Sequence, residues 1–331
     1  MVQTIYKGMG LLEVLPDLAA VEERLKREAS SPVGLMQRQA QYILLGRGKR
    51  LRPLLILLAA SFYRADREAV LDAAVAVELI HTASLVHDDV IDEAGRRRGK
   101  KSLNSCWGNH MAVLVGDFLF ARAFRILSKY AHLGLLEKMT DVIGTMCEGE
   151  LEQADSAFDL EKTEEDYLEQ IYKKTGCLLR ACCEIGAKLS AMPEGEIELL
   201  KEYGLQLGYA FQIVDDIADY ISKPDEIGKP VGLDLSRGII TLPLLYILGD
   251  DKYGALLKRM LSVAEDRRLS SAALDKVRQM VEEGGGVEYA LACAQRRVEE
   301  AKKTLAAFAD CEEKRLLIKI ADSVVERISK P

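Results

Sequence analysis

Helix breakers are scarce in this sequence, with 8 prolines among 331 residues. Long uninterrupted helices therefore meet few obstacles. The strict apolar–polar alternation of half-buried strands is missing throughout, which excludes a sheet-based fold. The seven cysteines (Cys106, Cys147, Cys177, Cys182, Cys183, Cys293, Cys311) form no C-x-x-C pair, and their number is odd. Reduced thiols in a cytoplasmic protein fit that pattern better than a disulfide frame or a zinc site. Excess positive charge is lacking too: the net charge is -7, which argues against a general nucleic-acid binder. No N-terminal stretch combines a basic region, an apolar run and a small-residue cleavage site, so no secretory signal is expected. Apolar runs such as 54–60 are too short to span a bilayer, and no transmembrane segment is expected.

What is present is apolar periodicity at helical spacing. Nearly half of the residues, 49%, are hydrophobic, enough for a sizeable core. Leu15, Leu18, Val21 and Leu25 keep one side of a helix over 14–28 apolar. Pro32 can open a second helix running to about residue 45. A glycine-loosened basic connection follows at 46–53. Further helices are expected over 113–130, 135–154 and 163–189. A loop rich in helix breakers covers 223–232, and from 241 the pattern is helical to 327 with a break at 284–286. These spacings predict one all-α domain over 1–331, a large helical bundle with a central active-site cavity lined by inward-facing residues.

Two stretches concentrate the chemistry. A largely apolar helix carries Asp88, Asp89 and Asp92 at its C-terminal end. Asp88 and Asp92 share a helical face, with Asp89 flanking Asp92. Three acids there repel one another and sit at the wrong pole of the helix dipole, so a divalent cation is the first candidate to offset the cost. The arrangement recurs at Asp215, Asp216 and Asp219. A lone acidic run is usually a solvated face. Two copies, each closing an apolar helix, point to shared cations. Carboxylates in pairs suit magnesium, which fills its remaining positions with water and phosphate oxygens. Lys49, Arg50, Arg52, Arg97, Arg98, Lys174 and Lys229 all lie near these clusters in sequence, and arginine forks match phosphate oxygens.

An ordered set of motifs then carries a family resemblance. Gly-Lys-Arg-x-Arg-Pro stands at 48–53, Asp-Asp-x-x-Asp at 88–92, Arg-Arg-Gly at 97–99 and Lys-Thr-Gly at 174–176. Phe-Gln-x-x-Asp-Asp-x-x-Asp follows at 211–219 and Thr-Leu-Pro at 241–243. Over residues 40–250 the chain resembles the trans-isoprenyl diphosphate synthases, the polyprenyl synthetase family. The resemblance implies a magnesium-dependent prenyltransferase that condenses isopentenyl diphosphate onto an allylic diphosphate, with three metal ions per site. It implies that Asp88, Asp89, Asp92, Asp215, Asp216 and Asp219 ligate the metal. Arg97, Lys174 and Lys229 would bind the allylic diphosphate. Lys49, Arg52, His81 and Arg98 would hold isopentenyl diphosphate, and Thr175 and Gln212 would line the reacting region. His87 is read as structural. A cytoplasmic homodimer is implied as well.

One departure stands out. Many family members carry lysine in a Gly-Lys-x-Thr segment, where this chain has Ile239; long-chain members vary here. Bulky aromatics one turn before the first acidic cluster stop elongation early in the family. Ala83 and Ser84 are small and leave the pocket open, with Met139 and Ile143 as candidates for a deeper floor. Similarity of wording at 116–124 and 147–150 to octaprenyl diphosphate synthases sets the expected product, with a quinone side chain as its fate. A terpene cyclase needs no second diphosphate site, so 48–52 argues against one. A catalytic subunit that needs a partner chain, and a shorter-chain geranylgeranyl synthase, stand as alternatives.

Overall fold

The computed structural model describes residues 15–46, 48–97, 99–221, 232–262 and 269–329. Helices account for nearly all the regular structure. They are α1 Leu15–Glu28, α2 Gly34–Leu44, α3 Leu51–Ser61, α4 Arg67–Ile91, α5 Leu103–Trp107, α6 Asn109–Leu127, α7 Leu135–Asp155 and α8 Glu164–Ile171. Then come α9 Cys177–Leu189, α10 Glu194–Ile221, α11 Leu233–Ser236, α12 Leu242–Leu248, α13 Gly254–Ser262, α14 Ser271–Glu283, α15 Gly286–Thr304 and α16 Glu312–Ser329. The fold is all-α, as the periodicity requires. The chain forms two compact units interleaved along the sequence. The first takes residues up to 141 with 181–201 and 307–319; the second takes 142–180, 202–306 and 320–331.

The first unit is organised around α4. Asp66 caps its N-terminus by accepting from the Glu68 backbone N–H at 3.0 Å, a contact of the kind that anchors helix starts. From Ala69 to Ala83 almost every side chain is buried. α6, α3 and α1 pack around it. By length and composition alone, α4 could cross a membrane, contrary to what the short apolar runs implied. However, 78% of its apolar window is buried inside the protein, as expected of a core helix. α6 approaches α4 closely at Gly116, where a Cβ would lie 2.1 Å from the His87 ring. His87 fills the space that glycine leaves, with its Nε2 3.2 Å from the Val113 carbonyl.

In the second unit the expected helix over 163–189 is interrupted. α8 opens with a capping box formed by Thr163 and Asp166. It then passes through a π-turn at Tyr172–Gly176 before α9. A π-turn inserts one residue into the helical ladder and frequently marks functional positions. This one coincides with Lys174, Thr175 and Gly176. α10 lies close to it, since a Cβ on Gly208 would come within 2.7 Å of the Gly176 Cα.

Two further expectations are corrected. The helix expected over 113–130 starts earlier and ends at Leu127, where a 3-10 turn at Ser128–Leu133 takes over. Among the described residues, the stretch from 241 to 327 holds five helices rather than two, with breaks near 249–253 and 305–311 as well. Two-residue strands β1 Arg96–Arg97 and β2 Lys100–Lys101 pair antiparallel across Gly99, whose φ of 78° suits glycine.

Candidate active site

Each acidic cluster ends its helix in a different way. Asp92 closes α4, its backbone N–H donating to the Asp88 carbonyl at 2.8 Å. Asp88 and Asp92 are half-buried, while Asp89 is 1% exposed. A carboxylate this buried needs fixed partners. Arg97 supplies one, its Nε donating to Asp89 Oδ1 at 2.8 Å. The loop after the cluster is tied down as well. The Asn104 side-chain amide donates to the Asp89 carbonyl oxygen at 2.9 Å, and the Ala94 N–H donates to the same oxygen at 2.9 Å. Arg97 and Asp89, predicted as phosphate binder and metal ligand, are thus brought together as an ion pair.

Upstream on α4, His81 meets Arg52 from α3. Arg52 Nη1 lies 2.9 Å from His81 Nε2. A guanidinium only donates, so His81 accepts through Nε2 and carries its proton on Nδ1. His81 lines a cleft of the first unit with Tyr42, Thr82, Leu85, Arg97 and Lys100. Arg50, grouped by sequence with the phosphate-facing cations, does something else. It is 5% exposed and adopts φ 49°. Its guanidinium donates to Glu22 at 2.6 Å, Glu78 at 2.7 Å and the Leu44 carbonyl at 2.6 Å. Glu78 and Glu22 hold its charge so firmly that burial does not lower its pKa, which is raised. Arg50 is a structural tie, invisible as such in a motif that places it between two phosphate-binding candidates.

In the second unit the three aspartates of α10 occupy three environments. Asp215 is exposed and lies 3.7 Å from Arg327 of α16, whose guanidinium also stacks 4.7 Å from the Phe211 ring centre. Asp216 is 4% exposed. It accepts from Tyr167 Oη at 2.6 Å and from Gln212 Nε2 at 2.8 Å. Thr175 Oγ1 in turn donates to Gln212 Oε1 at 2.6 Å. Burial, reinforced by the negative charge of Asp234, pushes the Asp216 carboxyl up to about 7 against the pull of those hydrogen bonds. Asp219 accepts the backbone N–H groups of Gly232 at 3.1 Å and Asp234 at 3.2 Å. Tyr167, Asp234 and Arg327 were not singled out from sequence. No motif reaches them, and only the fold brings them to the cluster.

Among the described residues no three His, Cys, Asp or Glu side chains are gathered into a preformed metal cage. Hard carboxylate oxygens with half-exposed Asp88 and Asp92 fit magnesium, which takes one or two protein carboxylates and completes its octahedron with water and phosphate. Lys49 is exposed and Lys174 half-buried, Lys174 donating to Gln153 Oε1 at 3.0 Å. Arg98 and Lys229 lie outside the described residues.

Residues 33–281 match the polyprenyl synthetase family. An octaprenyl diphosphate synthase from Escherichia coli is 36% identical over 94% of this chain and 96% of its own. The chain belongs to the polyprenyl synthetase family. It is a prenyltransferase, a trans-prenyl diphosphate synthase. A second relative, heptaprenyl diphosphate synthase component 2 from Geobacillus stearothermophilus, is 41% identical over 73% of this chain and 75% of that protein. The crystal structure of a polyprenyl synthase from Caulobacter crescentus, complexed with calcium and isoprenyl diphosphate, superposes with a TM-score of 0.89. That protein is 34% identical, and the match covers 96% of each chain. Ala83 is fully buried, and Ser84 is half-buried with its hydroxyl donating to the His81 carbonyl at 3.0 Å. Met139 is fully buried and Ile143 half-buried. Ile239, where the family resemblance implies lysine, is half-buried, and its N–H donates to the Asp234 carbonyl at 3.0 Å.

Proposed function

We propose that the chain extends farnesyl or geranyl diphosphate with isopentenyl diphosphate, in a magnesium-dependent reaction, to an all-trans octaprenyl diphosphate. The observation that carries this reading is that both Asp-Asp-x-x-Asp clusters end apolar helices beside cations. Asp89 has Arg97 at 2.8 Å and Asp215 has Arg327 at 3.7 Å. Asp88, Asp89, Asp92, Asp215, Asp216 and Asp219 would hold three magnesium ions, which would supply positive charge to stabilise the leaving diphosphate. Arg97, Lys174 and Lys229 bind the allylic diphosphate. Lys49, Arg52, His81 and Arg98 hold isopentenyl diphosphate, with His81 fixing the direction of the Arg52 fork. Thr175 and Gln212 line the reacting carbons, and apolar walls keep water from the carbocation. No side chain is required as the base, because departed diphosphate can take the proton. Ala83 and Ser84 leave the tail room to grow, with Met139 and Ile143 as the deeper floor.

The same reading makes the chain a cytoplasmic homodimer whose product becomes a quinone side chain. Val113 and Leu114 on α6, 41% and 42% exposed, offer apolar surface for a second copy. The 41% identity to a heptaprenyl synthase component favours a second reading, a catalytic chain that elongates only with a partner subunit. The metal requirement is tested by stripping divalent ions with a chelator and restoring magnesium. Turnover should vanish and return. Full activity in excess chelator contradicts the proposal.

A further inference from the structure

Asp216 is the buried member of the second acidic cluster, 4% exposed, where Asp215 is exposed and Asp219 half-buried. Each of its oxygens has a side-chain donor. Tyr167 Oη reaches Oδ2 at 2.6 Å, and Gln212 Nε2 reaches Oδ1 at 2.8 Å. The donors stand on different helices, Tyr167 on α8 and Gln212 on α10 beside Asp216 itself. Tyr167 is 1% exposed, so bulk water does not compete for its hydroxyl. Its backbone is anchored too. The capping box of Thr163 and Asp166 fixes the start of α8, and the Tyr167 N–H donates to the Thr163 carbonyl at 3.1 Å.

An ionised carboxylate offers about four lone-pair sites, two on each oxygen. Tyr167 and Gln212 take one on each, which leaves one on each oxygen for a cation. Gln212 rides on the same helix as Asp216, so it cannot tie that carboxylate to the rest of the unit. The Tyr167 hydroxyl does, because it comes from α8. With both oxygens held, the plane of the Asp216 carboxylate is set before any cation arrives. Carboxylates that ligate metals are commonly oriented by such outer donors. A buried carboxylate needs donors merely to offset its desolvation as well. The two roles part at metal affinity, which only an orienting role requires.

We infer that Tyr167 is a positioning residue for the metal site of the second acidic cluster, aiming the free lone pairs of Asp216 at a divalent cation. The inference rests on the proposed role of Asp216 as a metal ligand. The phenol touches neither substrate nor cation. Its contribution is to hold Asp216 from a second helix, so that the position of α8 enters the geometry of the site.

The test uses Mn2+ in place of magnesium, with the free ion followed by its paramagnetic resonance signal. Farnesyl S-thiolodiphosphate, an allylic analogue that resists ionisation, is present throughout. Tyr167→Phe keeps the buried ring and removes only the hydroxyl. It should weaken by about tenfold the Mn2+ binding that Asp216→Asn removes, the lower end of the effect of losing an outer donor. In an Asp216→Asn background, Tyr167→Phe should cost no further affinity. The KM for isopentenyl diphosphate at saturating magnesium should stay unchanged in Tyr167→Phe. Unchanged Mn2+ affinity in Tyr167→Phe, while Asp216→Asn loses the ion, reduces Tyr167 to a packing and desolvation role and overturns the inference. So does an additive loss in the double variant. If Asp216→Asn binds Mn2+ as the unaltered chain does, the ligand role of Asp216 fails first and the inference falls with it.

Discussion

At the residue scale, the most informative side chains are those whose charge is buried with its partners. Arg50 and Glu78 are 4% and 5% exposed at the side chain, so neither can be rehydrated when the other is lost. Arg50→Met should cost about 3–5 kcal/mol in urea unfolding, the range for orphaning one partner of a buried pair. Arg50→Lys should recover little, because a single ammonium cannot span Glu22, Glu78 and the Leu44 carbonyl. Recovery to the original stability would show that charge alone matters there. Asp72 carries a pH prediction. Burial would raise its pKa, but Lys129 at 2.9 Å, Tyr130 at 3.0 Å and Arg24 at 2.6 Å outweigh burial and hold it below the usual carboxylate value. A depressed folded pKa gives stability that is present above the unfolded pKa of about 4. That stability is lost as pH falls through the folded value. The stability gap between the original chain and Asp72→Asn should therefore be flat near neutrality and shrink below about pH 4. A gap that widens on acidification contradicts the sign.

At the scale of elements, helix approach decides more than helix propensity. Gly208 lets α10 lie against the π-turn, where a Cβ would meet Gly176 Cα at 2.7 Å. Gly208→Ala should cost roughly 1–3 kcal/mol as overpacking. It should also lower kcat, because Thr175 sits in that turn and Gln212 one turn further along α10, bonded at 2.6 Å. Loss of stability with full kcat would separate the two effects. The proposed tail pocket runs along α4. Ala83 is fully buried, so Ala83→Phe forces bulk into packed core, whereas half-buried Ser84 has room. Ser84→Phe is the cleaner variant and should shift the product distribution toward shorter chains on a chromatogram. An unchanged distribution would remove the α4 face from the length mechanism.

The helices of the first unit were legible in the sequence because apolar residues recur there at helical spacing and few breakers intervene. The π-turn was not, since Tyr172–Gly176 has helical composition and departs from the ladder only where α10 presses on it. The acidic clusters were readable as candidate ligands from spacing alone. Their unequal environments were not, because Tyr167, Asp234 and Arg327, which stand 48, 15 and 108 residues from the nearest aspartate of the second cluster, reach it only through folding.

At the scale of the whole molecule, the proposed prenyltransferase elongates unaided to a long chain. The purified protein alone, given magnesium, farnesyl diphosphate and labelled isopentenyl diphosphate, tests this most directly when products are resolved by length. The expected result is a ladder of polyprenyl diphosphates whose dominant product is octaprenyl. A folded chain that incorporates no label without an added subunit, or that stops at geranylgeranyl diphosphate, would contradict it.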